Sequence, residues 1–108
     1  MVATTSIGAM TGSTELTEWI ASDNLIAFLW ALATLAGTEF DESDALAVET
    51  AMRSGSVSYP VAPGWQASAT QEDGTAVTMV TVRLPDSQRS AVGIVLALMQ
   101  EFVVVRAT

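Results

Sequence analysis

Apolar residues recur at helical spacing through the first half of the chain and at alternate positions in the second. Leu16, Trp19 and Ile20 stand at i, i+3, i+4 beside Glu15 and Glu18, anions that a helix dipole favours in its first turns. The spacing predicts a helix from Ser13 or Thr14, after an irregular lead-in over residues 1–12. Asp23 and Asn24 then ride on its outside or cap a second segment after a kink. Leu25, Phe28, Leu29, Leu32, Leu35 and Ala36 form a clean helical stripe, and Gly37 suits the residue that ends it. Ile26, Trp30 and Ala33 make a second apolar stripe on another face. A helix apolar on several faces is expected to be buried on several faces.

A further helix is signalled after Phe40. Asp41 can cap it, Phe40 can staple against Ala45, and Glu42 and Asp44 load its first turn with negative charge. Ala45, Val48 and Met52 supply its inward face, with Arg53 and Gly55 at its end. Residues 57–64 carry Pro60 and the pair Pro63 and Gly64, which predicts an edge strand or a turn. Trp65, Ala67 and Ala69 alternate with polar neighbours, and residues 72–75 (EDGT) read as a hairpin turn. Residues 77–84 are the return strand, with Val80, Val82 and Leu84 on one face. Pro85 stops it and Asp86 can cap a third helix. That helix carries Val92, Leu96 and Met99 on one stripe and Val95, Leu98 and Phe102 on another. The β-branched residues Val103, Val104 and Val105 predict a closing strand, paired in parallel across a helical crossover. The expectation is one α+β domain over residues 1–108. It has two N-terminal helices, then a β-hairpin, a third helix and a short C-terminal strand in a small mixed sheet.

Composition narrows the chemistry. The chain has 108 residues, 50% hydrophobic and only 15% charged, against roughly 25% charged in an average soluble domain. Histidine and cysteine are absent, and all four cations are arginines: Arg53, Arg83, Arg89 and Arg106. Serine and threonine hydroxyls are plentiful, but no histidine or lysine is there to activate them. These absences argue against an autonomous enzyme, a thiolate metal site and a cofactor site. The acids Glu39, Asp41, Glu42, Asp44 and Glu49 do not have EF-hand spacing, and they read as a capped helix start with a solvated face.

Net charge is −8 and lopsided. Residues 1–54 hold eight acids and one arginine, a net of −7; residues 55–108 hold four acids and three arginines, a net of −1. Phosphate contacts need clustered cations, so direct nucleic-acid binding is not expected. The run over residues 25–36 is too short to span a bilayer, and Gln100 and Glu101 interrupt the C-terminal one. Without a basic N-terminal region the chain reads as cytoplasmic, or as part of a particle assembled there, such as a virion.

Apolar helices on a chain poor in reactive groups point to protein–protein contact. The leading expectation is a non-catalytic structural or assembly subunit, self-associating or part of a larger complex. Its interface is expected to use Trp30, Ile26, Trp19, Val95 and Leu98, with Trp30 foremost because it lies off the main stripe of its helix. A second reading is an acidic regulatory protein, of inhibitor, antitoxin or immunity type, that occupies a basic site on its partner. A third is a small-molecule carrier with an apolar pocket.

Overall fold

The computed structural model describes residues 4–8, 13–72 and 76–104. Strands β1 (Thr4–Gly8) and β2 (Ser13–Ala21) come first. A single 3-10 turn leads from β2 into helices α1 (Leu25–Ala36) and α2 (Glu42–Met52). Strands β3 (Ser56–Ala62), β4 (Trp65–Gln71) and β5 (Val77–Pro85) follow, then a second 3-10 segment and helix α3 (Val92–Phe102). The strands form one sheet in the order β1-β2-β5-β4-β3, and every strand pairing in it is antiparallel.

This overturns the layout expected from spacing, in which two helices come first. Residues 13–21 form a strand. Their side chains alternate, with Thr14, Leu16, Glu18 and Ile20 buried and Glu15, Thr17 and Trp19 only half-buried. Leu16 and Ile20 satisfy a helical period and a strand period alike. Glu18, which sits between them on the buried side, hides the alternation. The lead-in also contains a strand, β1, whose backbone pairs with the first half of β2 from Thr4 opposite Thr17 to Gly8 opposite Ser13.

The closing parallel strand is corrected too. Val103 makes a single antiparallel bridge to Ile20, and the Val104 amide donates to the Trp19 carbonyl at 2.9 Å. The chain therefore returns to the free half of the β2 edge that β1 leaves uncovered. Val105 lies outside the described residues. The sheet is antiparallel rather than mixed, because β5 joins β2 on one side and β4 on the other.

Other elements follow the local sequence closely. Gly37 adopts φ 80° at the end of α1, and its amide closes the last turn onto Thr34. Asp41 and Asp44 form a reciprocal capping box at the start of α2. Asp41 Oδ1 accepts from the Asp44 amide at 2.9 Å, and the Asp41 amide donates to Asp44 Oδ2 at 3.0 Å. Pro63 and Gly64 turn β3 into β4, with Gly64 at φ 83°.

All three helices pack on one face of the sheet. Leu25, Phe28, Leu29, Leu32 and Ala33 of α1 and Val95 and Met99 of α3 meet Leu16, Ile20, Val80, Val82 and Leu84 in one buried cluster. Phe28 and Phe102 meet edge to face at 5.5 Å between ring centres, as do Phe40 and Tyr59 at 5.3 Å. The opposite sheet face carries Thr17, Thr81, Ser68 and Ser58 in one cross-strand row, and Glu15, Arg83 and Gln66 in the next. A polar outer face is the ordinary condition of an antiparallel sheet with one layer of helices.

Candidate functional site

Helix α1 turns its Leu25–Phe28–Leu29–Leu32 side to the sheet, which leaves Trp30 on the solvent side. The indole is 59% exposed. It does not stand alone. Ile26, Ala27 and Trp30 of α1 line an open hollow of about 570 Å³ with Phe40, Asp41, Glu42 and Ala45 from the start of α2. Its wall is mainly apolar, and the two acids lie at the α2 end. A large exposed aromatic in a concave apolar setting with a polar rim has the makeup of a protein contact surface.

A second hollow of about 480 Å³ lies beside it and shares Ile26. It is lined by Ser22, Asp23, Leu25, Ile26, Val48, Glu49, Met52, Gln71 and Thr78. Leu25, Val48 and Met52 make its apolar wall. Its polar wall is a fixed network in which Ser22 Oγ lies 2.8 Å from Thr78 Oγ1 and donates to Gln71 Oε1 at 2.9 Å. The two hollows meet at Ile26 and make up an α1–α2 groove, with Asp41 and Glu42 lining the one and Asp23 and Glu49 lining the other. Among the described residues no cation lines either hollow.

Among the nominated contact residues, the structure brings Trp30 and Ile26 together in this groove. Trp19 is on the far side of the sheet, opposite Met79 in the neighbouring strand. Val95 is fully buried in the core, because Val95 and Met99 at i, i+4 form the inward seam of α3; it is not available to a partner. Leu98 is half-buried and packs against that core. Ala33 leaves the proposed second stripe for the core. Leu46 of α2 and Ile94 of α3, at 61% and 58% exposure, are large apolar surface residues that the sequence pattern did not single out. Leu46 is one helical turn from both Glu42 and Glu49 but lines neither hollow.

The open sheet face holds a different hollow, of about 890 Å³, near the β3–β4 turn. Glu15, Ser58, Gln66, Ser68, Thr81 and Arg83 are among its lining residues. Arg83 donates from Nε and Nη2 to Glu15 Oε2, at 3.1 and 2.9 Å, across the strand pair that joins them. The pair neutralises itself, and its exposure gives it little energetic weight. Glu15 is the carboxylate among the hydroxyls that line this hollow, and its Oε2 is engaged by Arg83.

Tyr59 is half-buried against Phe40. Burial raises the phenol pKa above its usual 10.0, and the nearby Asp44 and Asp41 carboxylates push it further in the same direction. Among the described residues no group of three or more acids converges to hold a metal ion, and Asp41 and Asp44 are engaged in capping each other. Among the described residues no helix is long and apolar enough to cross a membrane. No family model matches the chain, and neither a curated protein nor a solved structure matches it.

Proposed function

We propose that this chain is a non-catalytic assembly subunit that joins other protein chains through the α1–α2 face centred on Trp30. The observation that carries this reading is the exposed indole set in an apolar hollow with Ile26, Phe40 and Ala45. Burying it against a partner would remove that apolar surface from water at roughly 25 cal/mol per Å². The composition supports the non-catalytic part, since hydroxyl nucleophiles stand without histidine, lysine or cysteine.

The acids lining the groove also favour the related reading of a regulatory protein that docks on a basic partner. Both readings place contact at the same face. Sedimentation of the purified chain over a wide concentration range, at a salt concentration high enough to screen the acids, tests the first reading in its self-associating form. The wild type should associate, Trp30→Ala should stay monomeric with an unchanged far-UV circular dichroism spectrum, and Trp30→Phe should associate again. A wild type that remains monomeric throughout, indistinguishable from Trp30→Ala, would overturn it.

A further inference from the structure

We infer that the occupant of the α1–α2 groove is a cationic amphipathic helix, with its apolar side on Ile26, Trp30 and Ala45 and basic side chains reaching the acids of both hollows. This rests on the reading that the Trp30 face is a contact site, and adds the chemistry of what contacts it.

Two observations select this occupant. First, the two hollows share Ile26, with apolar side chains on both sides of it: Ala27, Trp30, Phe40 and Ala45 in the one, Leu25, Val48 and Met52 in the other. Second, among the described residues every charged residue that lines the two hollows is an acid: Asp41 and Glu42 in the one, Asp23 and Glu49 in the other. Apolar side chains set among acids complement a helix that presents apolar residues at i, i+3, i+4 and flanks them with lysine or arginine. Two copies meeting groove to groove would set acid against acid, which disfavours the pairing at low salt.

The crevice beyond Ile26 is suited to one basic side chain in particular. Its walls offer the apolar side chains of Leu25, Val48 and Met52 for a long aliphatic stem. Asp23 and Glu49 supply carboxylates for the head group. A lysine or arginine uses both kinds of surface at once.

Fluorescence anisotropy with a labelled helical peptide of about 18 residues, roughly 27 Å long, tests the inference. The probe has leucines on one face and lysines on the other; its counterpart has glutamates in place of the lysines. The lysine peptide should bind wild-type protein, and binding should fall as salt rises. It should bind at least tenfold more weakly to Trp30→Ala, and at least tenfold more weakly to the triple variant Asp23→Asn, Glu42→Gln, Glu49→Gln. Neutralising an acid elsewhere, Glu101→Gln, should leave binding unchanged. Equal binding of both peptides, or an unaffected triple variant, would overturn the cationic assignment; the Trp30 face would stand if Trp30→Ala still weakened binding. Binding that ignores Trp30→Ala would show attraction to an acidic chain in general and overturn the inference. With no peptide binding at all the inference fails, and the sedimentation comparison decides the Trp30 reading separately.

Discussion

Gln100 of α3 donates a hydrogen bond of 2.9 Å to Oε2 of Glu18, whose side chain on β2 is fully buried on the helix-covered face of the sheet. The other oxygen of that carboxyl group, Oε1, is buried without a hydrogen-bond partner. Leaving a buried acceptor unsatisfied costs about 1–3 kcal/mol, so this position lowers the stability of the fold. Gln100→Ala removes the hydrogen bond to Oε2 of the buried Glu18 side chain and should destabilise the protein by about 1–3 kcal/mol. Glu18→Met keeps the length of the side chain and removes both oxygens, which should raise the midpoint of thermal unfolding. A lower midpoint for Glu18→Met would contradict this account of the pair.

Glu18 also explains what sequence reasoning missed. With a leucine or valine at 18, residues 14–20 would read as a strand. With glutamate there, Leu16, Trp19 and Ile20 present a helical spacing instead. Elsewhere local signals were unopposed. The Leu25–Ala36 stripe, the Asp41 cap, the Gly37 stop and the inward row Val80, Val82, Leu84 all stand where the pattern places them. Trp30 was legible as a surface residue because it lies off a strong stripe. The groove was not, because it depends on how α2 docks against α1, which no periodicity encodes. Nor was the exposure of Ile94 and Leu46, since each helix has enough apolar residues to bury any of several faces.

Tyr59 is the chain's one phenol, and with no lysine or cysteine present it is the side chain with an ordinary alkaline titration. Its folded pKa lies above the unfolded value. The folded state therefore holds its proton more tightly, and the resulting stability is fully present below about pH 10 and lost as pH rises through the folded pKa. The unfolding midpoint of the wild type should fall on going from pH 9 to pH 11, and Tyr59→Phe should remove most of that fall. Equal losses in both proteins would place the alkaline sensitivity elsewhere.

Two glycines at nearly the same backbone angle should respond differently to alanine. Gly37, at φ 80°, has open space where a Cβ would sit. Gly64, at φ 83°, would bring that Cβ to 3.1 Å from Cγ of Pro85. Gly37→Ala should cost about 1 kcal/mol, the strain of a left-handed residue alone. Gly64→Ala carries the same strain plus a contact that forces the end of β5 to shift, so it should cost more. Denaturant unfolding of the two variants measures the difference, and equal losses would mean that Pro85 yields freely.

The three indoles allow the central claim to be tested in one experiment. Trp65 is buried, Trp19 lies on the open sheet face beside Met79, and Trp30 stands in the α1–α2 groove. Each indole N–H gives its own signal in a nitrogen-15 correlation spectrum, to be followed while the lysine peptide is added and, separately, while the protein is concentrated at high salt. The account predicts that the Trp30 signal shifts in both titrations while those of Trp19 and Trp65 stay in place. A shift confined to Trp19 would move the contact surface to the open face of the sheet, and a Trp30 signal that stays fixed in both titrations would contradict the account outright.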